Sequence, residues 1–258
     1  MVHVSLLWRA GIGVTLLVVG LYQMNKGRNR WAQAERIADV ETTRIRDLRP
    51  GGVEIKGTVQ PPENGNLFES PIETTDAIVA HVTVEEEQGV DGGSSWETIH
   101  EAVLGGPITI DDGTGTIRVE LPLGEGLNLQ GIETKVGRGD EPPEKIRRYV
   151  ANEPAVEEAT RKSYGPVKAG DSRRYSEGVI EPGEDVYVLG NARRWRGNWE
   201  GPEFVIDAPT EGGDFILSDK SENDLVKEGK DGAVLPFAVG GLFVILGLVY
   251  AVLPWLSL

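Results

Sequence analysis

The feature that most constrains this chain is an uninterrupted apolar run near its C-terminal end. Residues 233–258, AVLPFAVGGLFVILGLVYAVLPWLSL, carry no charged side chain. About 20 apolar residues let a helix cross roughly 30 Å of hydrocarbon, and a chain of this size is too small to enclose such a helix in a soluble core. Pro236 lies near the start of the run, where a helix accepts proline, and Tyr250 and Trp255 lie near its far end, as interfacial aromatics do. The sequence predicts a transmembrane helix over 233–258.

A second apolar run, Val4 to Met24, predicts another transmembrane helix over 1–24. Arg9 lies near one end of the run, where its long stem can reach the interface. A cleaved signal peptide is the alternative, but it carries its positive charge before the apolar run and small residues at a cleavage site. Here the basic residues Lys26, Arg28 and Arg30 follow the run. An uncleaved span is therefore the preferred interpretation.

Basic residues flank the two runs unevenly, which bears on orientation. Lys26, Arg28, Arg30 and Arg36 follow the first run and three lysines precede the second, whereas Arg9 is alone on the other side. The positive-inside rule then puts the middle domain in the cytoplasm and both termini outside. The expected location is a cell membrane, crossed twice. Small residues spaced four apart, Gly11 with Thr15 and Gly247 with Ala251, allow spans to pack closely and leave self-association open.

The overall charge limits the possible partners and cofactors. The net charge is −15, with 41 acidic residues against 17 arginines and only nine lysines. This lysine-poor acidic balance predicts the chain of a halophile, with an ordinary acidic protein as the alternative. It disfavours nucleic acid, because phosphate contacts need clustered basic residues. Cysteine is absent, which excludes disulfides, thiolate zinc sites and cysteine nucleophiles. The three histidines lack a metal-ligand spacing, so no metal, cofactor or catalytic site is predicted.

The region between the runs divides into three parts. Residues 25–50 form a juxtamembrane helix or linker, which lies along the interface or packs on its own domain and ends at the RPGG of 49–52. Residues 51–219 alternate in hydrophobicity and predict a mainly β domain of six or seven strands, for which an open barrel of the oligonucleotide-binding shape is the expected architecture. The class is α+β because of a helical insertion over 140–163, which Pro154 divides into two short helices. Residues 220–232 are a linker.

Two β segments contain residues that invite a functional interpretation. In AIVAHVTVEEE, 77–87, His81 is interpreted as structural, and the three glutamates mark the emergence of the strand into water. In PITIDDGTGTIRVELP, 107–122, the residues from Asp112 to Gly115 form a hairpin turn. This segment lacks the later ligands of a calcium loop and the helix of a phosphate loop. A hydrolase built on Asp111, Asp112 or the glutamates of 85–87 is the weakest hypothesis, because acidic clusters are usually solvated faces.

One loop stands apart from the acidic background. ARRWRGNWEGPEF, 192–204, places two tryptophans among three arginines. Arginine and tryptophan are common anchors for lipid headgroups and protein partners. Alternatively, the tryptophans pack inward while the arginines pair with carboxylates. The candidate contact residues, for a lipid or an unknown protein partner, are Arg193, Arg194, Trp195, Arg196 and Trp199.

Several ordered motifs together resemble the GIDE domain, also called the beside-a-membrane domain. They are VEIKGTVQPPE, GNLFESPIETTDAIVAHVTVEEE, ITIDDGTGTIRVELP, RRYSEGVIEPGEDVYVLGNA and FILSDKSE, with a span on each side. The resemblance covers roughly residues 50–250. It implies kinship with mitochondrial membrane-anchored ubiquitin and SUMO ligases and with haloarchaeal membrane proteins. In those ligases the domain faces the intermembrane space, which is opposite to the orientation that the charges favour here.

The resemblance departs from the ligases at the catalytic end. In the ligases a RING finger with zinc-binding cysteines and a histidine follows the second span, and this chain supplies no cysteine for one. The sequence therefore predicts a membrane-anchored, non-catalytic binding or scaffold module whose partners are the lipid bilayer and an unidentified protein. The alternative is a component of an E3 ubiquitin-type transferase system whose RING finger lies on another chain.

Overall fold

Two compact units make up the chain in the computed structural model. One unit contains Met1–Val40 and Ser221–Leu258, and the other contains Glu41–Lys220. The structure describes residues 2–62, 65, 67–90, 93–122, 126–159, 161–164, 167–195, 203–210 and 213–256. The helices are α1 (Val2–Asp39), α2 (Glu144–Asn152) and α3 (Glu222–Leu256), with a 3₁₀ turn at Ile45–Asp47. The strands, in chain order, are β1 (Gly51–Gln60), β2 (Phe68–Glu69), β3 (Asp76–Ala77), β4 (Val79–Val90), β5 (Gly93–Gly105), β6 (Ile108–Asp111), β7 (Thr116–Val119), β8 (Gly131–Val136), β9 (Arg161–Tyr164), β10 (Val167–Gly170), β11 (Arg173–Ile180), β12 (Asp185–Arg194), β13 (Phe204–Asp207) and β14 (Ile216–Ser218).

Small residues form the contact between α1 and α3, which run antiparallel. A Cβ atom added at Gly13 would lie 2.8 Å from the backbone nitrogen of Ala251, and one added at Gly20 would lie 2.8 Å from the carbonyl oxygen of Gly240. The small residues of this seam recur every seven positions, at 13, 20, 27 and 34 of α1 and at 233, 240 and 247 of α3, and all are buried. A seven-residue repeat keeps one face of a helix against its partner along its length. The Gly247 and Ala251 spacing therefore serves close packing within this chain.

Large apolar side chains lie on the outside of this helix pair. Those that are at least half exposed are Trp8, Val14, Val18, Leu21, Tyr22, Val234, Leu235, Leu242, Ile245 and Leu248. Among the described residues, one helix is long and apolar enough to cross a membrane: Glu222–Ala251, which contains an 18-residue window with a mean hydropathy of 2.4. This confirms the C-terminal apolar helix as a candidate span. The helix α1 continues through the boundary expected at residue 24, and α3 begins within the expected linker over 220–232.

Five strands of the other unit close into a barrel. β1 pairs with β6, β6 with β7, β7 with β13 in parallel, β13 with β12, and β12 with β1. The pairing of β12 with β1 extends over eight residue pairs, from Gly51↔Ala192 to Thr58↔Asp185, so the barrel is closed and the prediction of an open one is wrong. Its interior is filled by inward-facing aliphatic residues, including Ile55, Val59, Ile110 and Val188. At Gly57, where β1 passes from β12 to β6, a Cβ atom would lie 2.6 Å from the carbonyl oxygen of Asp111, so only glycine fits.

A second, four-stranded sheet has the order β5-β4-β11-β8. The helix α2 packs on one face of this sheet and forms a smaller core with Ile72, Val82, Val84, Ile146, Tyr149, Val156 and Tyr175. Strands β4 and β5 come from the segment between β1 and β6, and β8 and β11 come from the segment between β7 and β12, so the sheet is assembled from two insertions between barrel strands. Two short hairpins, β2–β3 and β9–β10, complete the described strands.

Three details differ from the sequence prediction. The mainly β class is confirmed, but the described residues contain fourteen strands and not six or seven. The described residues of 140–163 contain one helix, α2, and the start of β9, and the expected second helix is not formed over the described residues 154–159. The three glutamates of 85–87 do not emerge into water, because β4 continues to Val90 and they pair with Arg174, Arg173 and Arg138 at 3.0, 2.8 and 4.0 Å.

Candidate functional site

The arginine- and tryptophan-rich segment lies at the end of β12, where the chain leaves the barrel. Arg193 and Arg194 are paired with Val205 and Phe204 of β13. The pairing continues one residue further, because the backbone N–H of Trp195 donates to the carbonyl oxygen of Glu203 at 2.9 Å. Arg196 and Trp199 lie outside the described residues. We call Arg118, Arg193, Arg194, Trp195 and Phe204 the arginine–tryptophan rim.

Each arginine of the rim has a carboxylate partner. Arg193 pairs with Asp207 of the neighbouring strand. Arg194 lies 3.7 Å from Glu203, and the Nε of Arg118 on β7 lies 2.8 Å from Glu120. Exposed ion pairs of this kind contribute only about 0–1 kcal/mol to stability. They nevertheless balance the charge of the rim, which therefore does not attract a polyanion strongly.

Aromatic rings lie beneath two of these guanidinium groups. The guanidinium carbon of Arg118 is 5.8 Å from the centre of the Trp195 ring, and that of Arg194 is 5.9 Å from the Phe204 ring. Trp195 is half-buried, and its indole Nε1 is buried without a hydrogen-bond partner in the part of the chain that the structure describes. Contacts of arginine with aromatic faces are worth about 0.5–1 kcal/mol at exposed sites. The rim thus combines charge-balanced arginines with large rings, as protein interfaces do.

A buried carboxylate that the sequence analysis missed fixes a loop in the inserted sheet. Glu177 is 1% exposed and accepts hydrogen bonds from the Ser70 hydroxyl at 3.2 Å, from the Ile72 backbone N–H at 3.1 Å and from the Glu73 backbone N–H. Strand alternation places Glu177 with Tyr175 and Val179 on one face of β11. The sequence did contain a signal for this site, because Glu177 lies on the buried face of an alternating strand and a buried charge needs hydrogen-bond partners.

A second buried carboxylate, Glu54 of β1, lies beside the first residues of the Glu41–Lys220 unit. It is fully buried and accepts hydrogen bonds from the Thr42 hydroxyl at 2.6 Å and the Tyr187 hydroxyl at 3.0 Å, with Lys56 at 3.2 Å. Its position ties residue 42 to the barrel. The carboxylate oxygens of Glu54 and Glu177 all accept hydrogen bonds from other residues of the chain. We therefore assign both side chains a structural role.

The residues of the hydrolase hypothesis also have structural roles. Asp112 accepts hydrogen bonds from the backbone N–H groups of Thr114 at 2.8 Å and Gly115 at 3.2 Å, and from the Ile45 N–H at 2.8 Å. Burial raises its pKa, but these hydrogen bonds outweigh burial and hold the pKa of Asp112 below its usual value. Asp111 accepts from the Gly113 N–H at 2.7 Å. The predicted turn is therefore confirmed, and the two aspartates build it.

Two cavities lie near the inserted sheet. One, of about 600 Å³, is lined by Glu73, Glu181, Glu184 and Asp219 among others. Burial raises the pKa of Glu184, the Glu181 N–H opposes this, and the charges of Asp219 and Glu181 add to it. The other, of about 340 Å³, includes His81, Thr83 and Ser176, with His81 Nε2 held 2.8 Å from Glu101. Within the described ranges, no group of three histidine, aspartate or glutamate side chains is arranged to hold a metal ion.

Two polar groups in the smaller core lack partners among the described residues. They are the Tyr149 hydroxyl and the His100 Nε2, on rings whose centres are 6.2 Å apart. Burial raises the pKa of Tyr149, and the carboxylates of Glu153 and Glu177 add to the shift. The tyrosine is therefore neutral at physiological pH and does not act as a base.

Comparison with known proteins gives one match. A family model described as GIDE, E3 Ubiquitin ligase, matches residues 79–252. This range includes all four strands of the inserted sheet, four of the five barrel strands, the rim and most of α3. No curated protein and no solved structure matches the chain.

Proposed function

The chain belongs to the GIDE family, described as E3 ubiquitin ligase, and from this premise we propose that it is a membrane-anchored binding module. In this proposal α1 and α3 both cross the bilayer, and the β domain acts by contact with a protein partner and performs no chemistry. The observation that carries the proposal is the common level at which the two helices change from polar to apolar.

The two changes of polarity coincide in the helix pair. On α1 the first basic residue after the apolar run is Lys26, and on α3 the last charged residue before the apolar run is Asp231. A Cβ atom on Gly27 would lie 3.1 Å from the carbonyl oxygen of Ala233, so these two boundaries lie side by side. At the other end, Arg9 lies about one turn from Gly13, which packs against Ala251 near the end of α3. Two separate segments therefore share one apolar layer, as membrane spans do.

The distribution of side-chain size supports the same proposal. In water, a helix pair buries its large apolar residues and exposes polar ones. Here the reverse holds for α1, because Val14, Val18 and Leu21 are 57–62% exposed while the buried seam consists of glycine and alanine. Lipid-embedded helices pack through small residues because hydrocarbon solvates the large ones. This pattern supports α1 as a span although its mean composition is less apolar than that of α3.

The side of the membrane on which the β domain lies follows from the charges. Lys26, Arg28 and Arg30 follow α1's apolar segment and lysines precede that of α3. The positive-inside rule favours a cytoplasmic domain, whereas the mitochondrial relatives favour the opposite side. We propose the cytoplasmic side, in the membrane of a halophilic archaeon whose concentrated salt suits the acidic surface.

The arginine–tryptophan rim is the proposed partner-binding surface. Arginine and tryptophan are enriched among residues that contribute most to protein interfaces. The carboxylates beside Arg118, Arg193 and Arg194 balance their charge, which favours a protein partner over a polyanion. Glu54, Glu177 and Asp112 accept hydrogen bonds from other residues of the domain, so these three carboxylates are not proposed as catalytic groups.

The family description favours a second candidate, a component of an E3 ubiquitin transferase system. The 258 residues contain no cysteine, so they cannot supply the thiolate ligands of a RING zinc site. In this second candidate the chain would recruit a separate RING-bearing protein, which is also a binding role.

Substitution of Trp195 tests the proposed surface. The full chain would carry a photo-crosslinking residue at Glu203, which is 70% exposed beside the rim, and crosslinking would be carried out in native membranes. Trp96→Ser is a matched control, because Trp96 is also half-buried and lies 4.3 Å from the Arg174 guanidinium and 4.8 Å from the Lys135 ammonium, but belongs to the inserted sheet. We expect a discrete crosslinked product that Trp195→Ser abolishes and Trp96→Ser retains. The same products in all three proteins would contradict a rim-dependent partner.

A further inference from the structure

A cluster of basic side chains lies where the helix pair changes from polar to apolar. Residues 25–34 of α1 contain Lys26, Arg28 and Arg30 and no acidic residue, in a chain whose net charge is −15. On α3, Lys230 lies level with residues 30–34 of α1, because Gly229 packs against Ala34 and Gly232 lies against Arg30. The exposed Asp231 follows it, so the basic groups here outnumber this one acidic neighbour by four to one. We call Lys26, Arg28, Arg30 and Lys230 the basic collar.

Specific contacts hold part of the collar in place. Arg30 Nη1 donates a 2.8 Å hydrogen bond to the carbonyl oxygen of Gly232, which joins the two helices. The Lys230 ammonium lies 5.6 Å from the centre of the Trp31 ring, and the indole Nε1 of Trp31 donates to Glu35 at 2.8 Å. An indole held at this level is typical of the membrane–water interface.

The other basic groups of the collar point their charge outward. Lys26 and Arg28 are exposed, and Arg28 donates only to Asn25, at 3.2 Å. In the part of the chain that the structure describes, no carboxylate pairs with Lys26, Arg28 or Lys230. In the rim, by contrast, each arginine has a carboxylate partner. The rim is therefore balanced in charge, whereas these collar residues carry positive charge with which no described carboxylate pairs.

We infer that the basic collar binds the phosphate groups of anionic lipids. The inference rests on the proposed function, because it places the collar at the headgroup level of the bilayer. Just below the collar, Leu21, Tyr22, Val234 and Leu235 present exposed apolar surface to acyl chains. Basic residues at this depth attract anionic headgroups, and arginine binds phosphate oxygens with two parallel hydrogen bonds. The collar thus binds anionic lipids around the polar end of the two apolar helix segments and makes the protein selective among lipids.

The test uses the full chain in nanodiscs of equimolar phosphatidylcholine and phosphatidylglycerol, with retained lipids identified by native mass spectrometry. The collar variant is Lys26→Gln with Arg28→Gln and Lys230→Gln; Arg30 is left intact because it joins the helices. The control, Arg46→Gln with Arg49→Gln and Arg148→Gln, removes the same charge from exposed positions of the β domain.

We expect the wild-type protein and the control to retain phosphatidylglycerol in preference to phosphatidylcholine. The preference should fall by roughly fivefold for each collar charge that is removed. The long-range part of the preference should also fall between 0.1 and 1 M salt, as the screening length shrinks from about 10 to about 3 Å, whereas direct hydrogen bonds to phosphate should persist in concentrated salt. If the wild-type protein entered nanodiscs but showed no lipid preference, or if the collar variant kept the wild-type preference, the inference about the collar would be wrong. The proposed membrane anchoring would not be affected by either result. A wild-type protein that does not enter nanodiscs would overturn the proposed membrane anchoring, and this inference with it.

Discussion

At the scale of single residues, buried carboxylates organise the loops of the β domain. Glu177 is the clearest case, because one side chain satisfies the backbone N–H groups of Ile72 and Glu73 and the hydroxyl of Ser70. Thr74, in the same loop, has a positive φ of 62°, an uncommon conformation for a residue other than glycine. The loop therefore keeps its shape because Glu177 holds it, and its own preferences would not maintain it.

Replacement of Glu177 should destabilise the protein strongly. Glu177→Ala removes the acceptor of the buried Ile72 N–H, the part-buried Glu73 N–H and the Ser70 hydroxyl, so we expect a loss of about 3–5 kcal/mol in the free energy of unfolding. Glu177→Gln keeps one acceptor oxygen but turns an NH₂ group toward the donors, so its loss should be smaller. Thermal unfolding of the full chain in detergent measures both. Glu203→Ala, at a site that is 70% exposed, should change the stability by less than about 0.5 kcal/mol. Equal melting temperatures for Glu177→Ala and Glu203→Ala would show that the Glu177 contacts are dispensable.

Asp112 gives the domain a defined dependence on acid. Its pKa in the folded protein is below that of the unfolded chain, about 3.9. Its ionised form therefore contributes stability that is fully present above about pH 4 and is lost as the pH falls through the lower folded value. We expect the melting temperature of Asp112→Asn to lie below that of the wild type at pH 6, and the gap to narrow at pH 3. Asp47→Asn, at a position that is 62% exposed, should show no such gap. A gap that widened in acid would contradict the assigned sign.

At the scale of elements, the seam between α1 and α3 depends on glycine at particular positions. The backbones approach so closely that a Cβ atom on Gly20 would lie 2.8 Å from both the Gly240 oxygen and the Val244 nitrogen. Gly11 and Gly241, by contrast, have no atom within 4 Å of an added Cβ atom. The helix pair thus contains glycines of two kinds, which the sequence alone does not separate.

Leucine substitutions should distinguish these two kinds of glycine. Gly20→Leu should force the helices apart and lower the thermal stability of the helix pair, because backbone atoms cannot move aside. Gly11→Leu should have little effect, or raise the stability slightly through better helix propensity. Proximity can be measured by electron paramagnetic resonance between spin labels on Val18→Cys and Leu242→Cys, in detergent. Equal label distances in the two leucine variants would show that the seam does not depend on Gly20.

The elements also show which parts of the fold could be predicted from the sequence. Alternation of apolar residues predicted a strand-rich region over 51–219 and, within it, β4 and the β6–β7 hairpin, where buried and less buried residues alternate along the strands. β5 and β8 were missed, since GSSWETIHEAVLG and GIETKV are polar edge strands whose burial is decided by their neighbours. Closure of the barrel depends on β1 pairing with β12, more than 120 residues later, which no local pattern encodes. The seven-residue spacing of Gly13, Gly20 and Gly27 was a signal for the seam between α1 and α3. The sequence prediction used the four-residue spacing of small residues instead.

The candidate site was predicted only in part. Arg193, Arg194 and Trp195 stand out by composition, and the structure places them at the end of β12 beside β13. Arg118 was not predicted to join them, because its position over Trp195 arises from the parallel pairing of β7 with β13. The carboxylate partners Asp207 and Glu203 likewise come from β13 and the residue before it. Both the docking and the packing interpretations of this loop remain compatible with a half-buried Trp195, and the crosslinking experiment decides between them.

At the scale of the whole molecule, both ends of the β domain continue into helices whose apolar segments lie side by side. The absence of cysteine, which removes RING chemistry from these residues, also makes the protein well suited to labelling. Any cysteine introduced by substitution is unique, so its reactivity reports the surroundings of one position. Val18, 62% exposed on the helix pair, and the exposed Arg28 are two and a half to three turns apart on α1.

The most direct test of the central claim, that α1 crosses the bilayer beside α3, is the labelling of single cysteine variants by a water-soluble maleimide. Val18→Cys and Leu242→Cys should resist labelling in intact liposomes and react once the bilayer is dissolved in a denaturing detergent. Arg28→Cys and Asp231→Cys should react in liposomes that are open to the reagent on both sides. Rapid labelling of Val18→Cys in intact liposomes, at the rate of Arg28→Cys, would place α1 in water and contradict the account.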